Sequence, residues 1–365
     1  MIKRTSLALA ILLGVAPLTT TLAQGGAPPT PKSVSAADRH AVVKALAAQL
    51  QANYVFPDVA KSVSTSLASK EASGGYASAG TTTEFAEALS KDLREFGKDG
   101  HFFVGYDPNF RAPGKGPPSK EDLEKRRAEI ADNGFGIQKV ELLSGNVGYL
   151  ELRGFGPTQF VNDAFAAAMK LLSGTEALIL DLRRNGGGEP ESVAFLMSHF
   201  FEGADQRHLN DIYWRPDDTT RQFWTTAAVG THYTRPVYVL ISGRTFSGGE
   251  ECAYDFQTQK RATLVGETTG GGANPGDGFA LDKGFAAFIP TGKAINPITH
   301  TNWEHVGVKP DVAVPAADAL KTAHAAILRS FLAKSKQAQE REYLQDLLAK
   351  IESGVVEAPN YKPPN

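Results

Sequence analysis

The stretch that decides the fold lies at residues 237–254, which read VYVLISGRTFSGGEECAY. Its five apolar residues, 237–241, predict a buried strand, and the residues from Gly248 onward predict a helix. Ser247 lies between the two, at a strand–turn–helix junction. The start of a helix offers free backbone N–H groups and the positive end of its dipole to a developing negative charge. A serine hydroxyl there has the position of an acyl-transfer nucleophile, although a serine at a helix start is also an ordinary cap.

Composition narrows the class of protein. The length of 365 residues allows one large domain or two smaller ones. The formal net charge of −2 does not indicate a basic surface that would bind nucleic acid. The single cysteine, Cys252, excludes an intramolecular disulfide and a cysteine-based metal cluster. We expect Cys252 to be a small core residue. We expect no cofactor, no metal and no nucleic-acid partner.

The first residues predict export. Residues 1–23 combine a basic start, an apolar run from Leu7 to Leu18 and small residues at the end, where a signal peptidase would cleave. This pattern is typical of a secretory signal peptide. The alternative is an uncleaved anchor, but the apolar run is short for a spanning helix. The protein is therefore expected in the periplasm or outside the cell, with no stable membrane insertion after signal removal. Residues 24–34 are rich in Pro and Gly and predict a disordered spacer.

Periodicity divides the rest of the chain. Residues 35–98 show apolar spacings of three and four and predict a bundle of about three helices. Residues 99–330 alternate strand and helix patterns, which implies an α/β layered core. Within that core a hairpin arm, residues 205–228, carries Tyr213, Trp214, Phe223 and Trp224. These aromatic residues either line an apolar ligand groove or pack the arm onto its own domain. Residues 331–365 predict a C-terminal helix and a frayed tail.

A serine nucleophile needs a neighbouring base, because its hydroxyl is weakly nucleophilic at neutral pH. The chain has eight histidines. His101 differs from the others because it lies where the helical bundle ends and a loop turns into a strand. Catalytic groups concentrate on such loops. The alternative is a structural histidine that hydrogen-bonds at a domain junction.

Two further groups complete the candidate chemistry. Residues 186–188 are three glycines between a buried strand and a helix, where backbone N–H groups can approach an oxyanion closely. A phosphate loop is the rival, but the Lys-Ser/Thr pair of such loops is missing. The carboxylate that orients His101 has four candidates: Asp99, Glu250, Glu267 and Glu304. Glu304 lies between Trp303 and a Val-Gly-Val run, where its alternative role is a structural hydrogen bond to a turn.

Several motifs, in this order, resemble those of the tail-specific (C-terminal processing) serine peptidase family, in its branch related to interphotoreceptor retinoid-binding protein and the tricorn protease core. They are Asp99-Gly100-His101, Gly145 to Leu150, Asp181 to Gly188, Phe246 to Glu250, Val265 to Gly270 and Gly307 to Asp311. The resemblance implies a crotonase/Clp-protease-like spiral of ββα units behind a small N-terminal helical bundle. It also implies a nucleophile, Ser247, a base, His101, and a carboxylate, Glu304. The implied oxyanion donors are the N–H groups of Gly248 and Gly187.

The chain departs from the larger branch of that family in two places. The general-base lysine of the Ser–Lys branch would follow the Gly-Glu-Thr segment, but residues 270–273 are Gly-Gly-Gly-Ala. The interval from His101 to Val147 is too short for a PDZ domain, which needs on the order of 80–90 residues. The serine beside the histidine of tricorn-type sites is also missing, because Gly100 occupies that place.

These features predict an exported serine peptidase that acts on a peptide or protein through a Ser247–His101–Glu304 triad. The alternative is a non-enzymatic protein on the same fold that binds hydrophobic ligands of the retinoid or fatty-acid type. In that case the aromatic arm would form the site.

Overall fold

A computed structural model describes residues 30–111 and 119–354. The predicted signal peptide, most of the predicted spacer and the end of the tail lie outside these residues. The helices, in chain order, are α1 Ala36–Asn53, α2 Pro57–Ala72, α3 Thr82–Gly97, α4 Lys120–Asp132, α5 Thr158–Leu172, α6 Pro190–Ser198, α7 Gly248–Thr258, α8 Ala319–Lys334 and α9 Ala338–Ser353. The strands are β1 Phe103–Tyr106, β2 Ile137–Leu143, β3 Val147–Leu152, β4 Ala177–Asp181, β5 His208–Trp214, β6 Thr219–Trp224, β7 Val237–Ile241, β8 Thr263–Gly266, β9 Gly276–Ala280, β10 Phe285–Pro290, β11 Gly292–Ile295 and β12 Val312–Ala313.

The predicted bundle consists of α1, α2 and α3. Ser35 and Thr81 start α1 and α3 with capping boxes, in which the side chain of the cap and a carboxylate three residues later satisfy free N–H groups. Ser33 forms a bridge with Thr81, and Val34 is buried in the bundle core. The last residues of the predicted spacer are therefore packed against the bundle.

A three-stranded antiparallel sheet, in the order β1-β10-β9, joins the bundle to the core. Its buried residues, among them Phe285 and Ile289, belong to the same hydrophobic cluster as the bundle helices. The bundle therefore shares a core with a sheet from the far end of the chain. This packing fixes the loop at residues 98–102 against the second half of the protein.

The central sheet has six strands in the order β12-β8-β7-β4-β3-β2. Strands β12, β8, β7, β4 and β3 are parallel, and β2 adds an antiparallel edge. Strand β4 is buried along its whole length, as its continuous apolar sequence predicts. The carboxyl ends of β4 and β7 carry the glycine loop and Ser247 and lie at one edge of the sheet. This arrangement confirms the predicted α/β core behind a helical bundle.

The hairpin arm is β5 and β6, and β11 pairs with its inner strand. Phe223 is buried in the large core and Trp214 packs against it, whereas Tyr213 packs against the bundle cluster. Trp224 is 46% exposed and stacks on His208, with ring centroids 4.2 Å apart. Phe223 and Trp214 therefore pack the arm onto its own domain, and Tyr213 packs it onto the bundle cluster.

The C-terminal stretch forms two helices, because α8 ends at Lys334 and α9 begins at Ala338. Leu328, Leu344 and Leu347 form a small core between them. Residues 120–132, which the sequence left without an element, form α4. In the ranges 30–111 and 119–354 we find no helix with the length and apolar character that crossing a membrane requires.

Candidate active site

Ser247 occupies a strained turn between β7 and α7. Its backbone angles are φ 53° and ψ −123°, a combination that residues with a side chain rarely adopt. Strain of this kind persists only where the surroundings enforce it, and it is concentrated at functional sites. Sharp strand-to-helix turns of this kind can expose a nucleophilic serine at the end of a sheet.

Glu250 holds this turn in place. Its buried carboxylate accepts hydrogen bonds from the backbone N–H of Ser247 (2.9 Å), Gly271 (2.6 Å) and Gly272 (2.8 Å), and from the Thr269 hydroxyl (2.5 Å). Burial raises the pKa of Glu250, and these four donors oppose that shift. The carboxylate therefore ties the serine turn to the glycine segment 270–272. Among the four sequence candidates for the acid that orients His101, Glu250 has this structural role instead.

His101 lies beside the serine turn. Its ring packs on Phe246, the residue before Ser247, with centroids 4.6 Å apart. The side chain is only 7% exposed, and in the described part of the chain neither ring nitrogen has a hydrogen-bond partner. His101 and Ser247 are thus neighbours but are not hydrogen-bonded to each other. Catalytic hydrogen bonds in unliganded sites are often long and tighten only when substrate binds.

The segment 270–273 leaves no room for a lysine at Gly272. A Cβ atom at Gly272 would lie 2.3 Å from Phe246 Cζ and 2.7 Å from His101 Cε1. Real side chains do not approach so closely. The space that a side chain at this position would fill is occupied by Phe246 and His101, which agrees with the sequence argument against a lysine base.

Asp99 and Glu304 both face His101. Asp99 Oδ1 lies 3.5 Å from His101 Nδ1 and also accepts the His101 backbone N–H at 3.0 Å. Its other oxygen accepts from Asn274 (2.9 Å) and Tyr54 (3.3 Å). Glu304 Oε2 accepts the backbone N–H of Ala273 at 2.5 Å, whereas Glu304 Oε1 has no hydrogen-bond partner among the described residues. The fold therefore brings two carboxylates to the histidine, where the family resemblance implied one.

The two carboxylates have opposite pKa shifts. Burial raises the pKa of Glu304 to about 8, and the negative charge of Asp99 adds to this shift. Burial opposes ionisation of Asp99 as well, but the hydrogen bonds of His101 and Asn274 and the charge of His101 hold its pKa below the usual value. Asp99 is accordingly the carboxylate that stays ionised at neutral pH.

The glycine loop lies against the serine turn. A Cβ atom at Gly248 would lie 3.0 Å from the Gly188 nitrogen, and a Cβ atom at Gly187 would lie 2.7 Å from Ser247 Cβ. The Gly187 N–H donates to Asn185 Oδ1 at 2.8 Å, so it already has an acceptor. This differs from the expectation that Gly187 would be an oxyanion donor. In residues 30–111 and 119–354 the N–H groups of Gly188 and Gly248 have no hydrogen-bond partner.

Glu267, the remaining candidate, is exposed and accepts the backbone N–H of Ala316 at 2.9 Å. Its role is to hold the segment after β12. An open cleft of about 480 Å³ reaches the site from the other side, and its lining includes Arg94, Lys98, Asp99, Gly271 and His305. The cleft borders Asp99 but not Ser247, His101 or Glu304, and the Ser247 side of the site is half-buried.

Comparisons with known proteins agree with this fold. Residues 146–314 match peptidase family S41, and residues 36–135 match the N-terminal domain of peptidase S41 in eukaryotic IRBP. The chain is 31% identical over 205 residues to carboxyl-terminal-processing peptidase 2, chloroplastic, of Arabidopsis thaliana, which covers 54% of this chain and 36% of that protein. It is 27% identical over 207 residues to carboxy-terminal processing protease CtpB of Bacillus subtilis (strain 168), which covers 55% of this chain and 41% of that protein. The chain thus spans less than half the length of these relatives.

Solved structures share the fold. A putative peptidase from Parabacteroides merdae ATCC 43184 superimposes with a TM-score of 0.53 at 20% identity, over 79% of this chain and 95% of that chain. Mature CPAF complexed with lactacystin superimposes with a TM-score of 0.55 at 13% identity, over 87% of this chain and 99% of that chain. The relatives found in sequence are processing peptidases from a plant chloroplast and a bacterium, which does not favour the hydrophobic-ligand alternative.

Proposed function

We propose that this chain is a serine peptidase with Ser247 as its nucleophile, and the premise is its family: the chain belongs to peptidase family S41. The observation that carries the proposal is the strained conformation of Ser247 at a strand–helix elbow, held there by the buried Glu250. A mere helix cap needs no such strain, because cap residues adopt ordinary extended angles. Relatives that process carboxyl termini support a peptide or protein substrate for this chain.

In the proposed mechanism, His101 takes the proton from the Ser247 hydroxyl as the oxygen attacks the substrate carbonyl. The imidazolium then gives this proton to the leaving amine, and a second cycle with water releases the acyl group. In this mechanism the His101 ring, which packs on Phe246, moves into hydrogen-bond reach of the serine when substrate binds. Glu304 is the triad carboxylate in this proposal and stabilises the imidazolium once it ionises, whereas Asp99 supplies a negative charge beside the ring at neutral pH already.

The oxyanion donors in this mechanism are the backbone N–H groups of Gly248 and Gly188. Both lie beside Ser247 and lack an acceptor in the described part of the chain, whereas the Gly187 N–H is bound to Asn185. Two N–H groups that are already oriented stabilise a developing negative charge without reorganisation. Gly188 also packs so tightly that a Cβ atom would lie 1.9 Å from the Phe155 oxygen, which fixes the position of its N–H.

Export is a further part of the proposal. It rests on the signal-like pattern of residues 1–23, which lie outside the described residues. The proposed protein acts in the periplasm or outside the cell once the signal is removed.

The test of this function compares the mature protein with Ser247→Ala on a peptide library. We expect turnover to fall by about three orders of magnitude or more, with the circular dichroism spectrum unchanged. Ser62→Ala, at an exposed serine of α2, is the matched control and should keep full activity. A fluorophosphonate probe should label the parent and the control but not Ser247→Ala. Equal cleavage by the parent and Ser247→Ala would remove Ser247 from the mechanism.

A further inference from the structure

We propose that Asp99, His101 and Glu304 form a binding site for a divalent transition-metal ion, with Zn²⁺ as the best match. The ion is not a cofactor of the reaction. It binds the general base and switches the peptidase off. Metal binding stands on the geometry of these three side chains alone, whereas the inhibition rests on the proposed function.

The three side chains converge. One ligand atom from each of them lies within 4.8 Å of the other two. A tetrahedral zinc ion has ligand distances of ~2.0–2.2 Å, which places its ligand atoms about 3.4 Å apart. The ligand atoms therefore need to approach one another by up to about 1.4 Å around the ion, a change within the reach of ordinary side-chain rotation.

Three buried polar atoms of this cluster lack hydrogen-bond partners, which is the second observation that points to a ligand. Asp99 Oδ1 lies 3.5 Å from His101 Nδ1, and His305 Nδ1 lies 3.5 Å from Glu304 Oε1. The His101 side chain is 7% exposed and the Glu304 side chain 9% exposed. Neither His101 nitrogen nor Glu304 Oε1 has a hydrogen-bond partner among the residues that the structure describes. Buried polar atoms normally have hydrogen-bond partners, and each one without a partner requires an explanation such as a bound ion or water. A single cation would satisfy an imidazole nitrogen and a carboxylate oxygen together.

Surrounding groups orient the ligands. Asn274 and Tyr54 hold Asp99 Oδ2, and the Ala273 N–H holds Glu304 Oε2. The other oxygen of each carboxylate is thereby directed toward the cluster. Hydrogen bonds of this kind to ligating side chains fix their geometry and strengthen metal binding.

The donor set decides the kind of ion. One imidazole nitrogen and two carboxylate oxygens suit zinc, which uses three protein ligands and leaves one position open in sites accessible to solvent. Calcium takes six to eight oxygen ligands, and magnesium requires near-octahedral oxygen coordination. The two adjacent carboxylates also repel each other, and a divalent cation would neutralise them.

The cleft gives the ion a route from solvent. Asp99 and the neighbouring Gly100 are part of its lining. Arg94 and Lys98 line the same cleft and oppose the approach of a cation, but both are exposed and are screened at ordinary ionic strength. The ring nitrogen that faces Asp99 is Nδ1, and an ion bound there leaves the proton of the neutral ring on Nε2. Nε2 then has no lone pair with which to accept the Ser247 proton.

Zinc affinity of the full chain, measured by competition with a chromophoric chelator, tests the site. The parent and Ser247→Ala should each bind a single zinc ion with equal affinity. Asp99→Asn and Glu304→Gln should weaken binding by at least about tenfold, because each removes a ligand charge. His40→Ala is the matched control for an ordinary surface histidine beside a carboxylate, Glu71, and should bind as the parent does.

Circular dichroism checks that each variant is folded. If a ligand variant does not fold, the parent loaded with Co²⁺ supplies the second measurement, because four-coordinate cobalt with nitrogen and oxygen ligands absorbs intensely in the visible. A parent that binds no zinc in competition with the chelator, affinities for Asp99→Asn and Glu304→Gln equal to that of the parent, or a six-coordinate cobalt spectrum would each overturn the site.

The two proposals fail separately. If the parent binds zinc as described but Ser247→Ala cleaves peptides as well as the parent does, the proposed function fails and the metal site stands. If the parent cleaves through Ser247 and saturating zinc leaves its rate unchanged, the inhibition is refuted. Zinc inhibition that chelator reverses, in both the parent and His40→Ala, supports it.

Discussion

Glu250→Gln tests how the serine turn is held. Each oxygen of the Glu250 carboxylate accepts two hydrogen bonds: Oε1 from the Thr269 hydroxyl and the Gly271 N–H, and Oε2 from the N–H groups of Ser247 and Gly272. Glutamine replaces one of these oxygens with an NH₂ group, which is a donor. The glutamine amide can place its NH₂ group at either oxygen position. The more favourable orientation places NH₂ toward Thr269, because the Thr269 hydroxyl can rotate and accept a hydrogen bond from it. The Gly271 N–H is then left without an acceptor.

The expected loss follows from these bonds. An unpaired buried N–H costs about 1–3 kcal/mol, and weakening the two remaining bonds from a charged to a neutral acceptor costs about 1 kcal/mol each. Removing a buried charge, whose unfavourable burial raises the pKa of Glu250, offsets about 1–2 kcal/mol. We therefore expect the free energy of unfolding to fall by about 1–4 kcal/mol at slightly alkaline pH. Peptidase activity should fall further than this loss of folded protein explains, because the Ser247 turn loses part of its support.

Urea denaturation followed by tryptophan fluorescence measures the loss, and cleavage of a peptide at low denaturant measures activity. Glu87→Gln, at an exposed position of α3, makes the same chemical change and should alter neither quantity. If Glu250→Gln unfolds at the same urea concentration as Glu87→Gln, the four hydrogen bonds do not stabilise the site and the reasoning is refuted.

Two further predictions concern pH. Burial and the charge of Asp99 raise the pKa of Glu304 to about 8, so kcat/KM should rise as pH passes through this value and Glu304 ionises beside His101. Glu304→Gln should lose this step in the pH profile, and a step that persists in the variant would rule Glu304 out as its source. Burial also raises the pKa of Glu251, in α7, from its ordinary value of 4.5 to about 8. The stability that this protonated carboxyl contributes is fully present below pH 4.5 and is lost as pH rises to about 8. Glu251→Gln should flatten the fall in unfolding free energy across that window, as measured by urea denaturation at several pH values; an unchanged slope would contradict the assignment.

Local patterns determined much of the fold. The bundle helices and strands β3, β4 and β7 lie where apolar periodicity predicts them, because burial of one face imposes that spacing on the sequence. The hairpin β5–β6 turns at the predicted residues 215–218. The apolar pattern of the sequence did not predict the elements whose apolar periodicity is weak. Helix α4 has no buried residue, so its sequence carries no apolar stripe. Strands β9 to β11 are short, and β10 and β11 pair with β1 and β5, which lie far away in the chain.

The sequence by itself determined that Ser247 begins a helix at the end of a buried strand, because that depends on neighbouring residues. It also identified His101 and Glu304, through motifs. Only the tertiary structure decided how these groups are related. Asp99 and Asn274 hydrogen-bond across 175 residues of sequence, and Glu250 holds a loop 21 residues away. The structure also showed that the Gly187 N–H is already bound and that Asp99 is a second carboxylate at the histidine. The physical reason is that hydrogen bonds and charge interactions depend on distance and burial in space, which the packing of the bundle against the core sets and the order of residues does not.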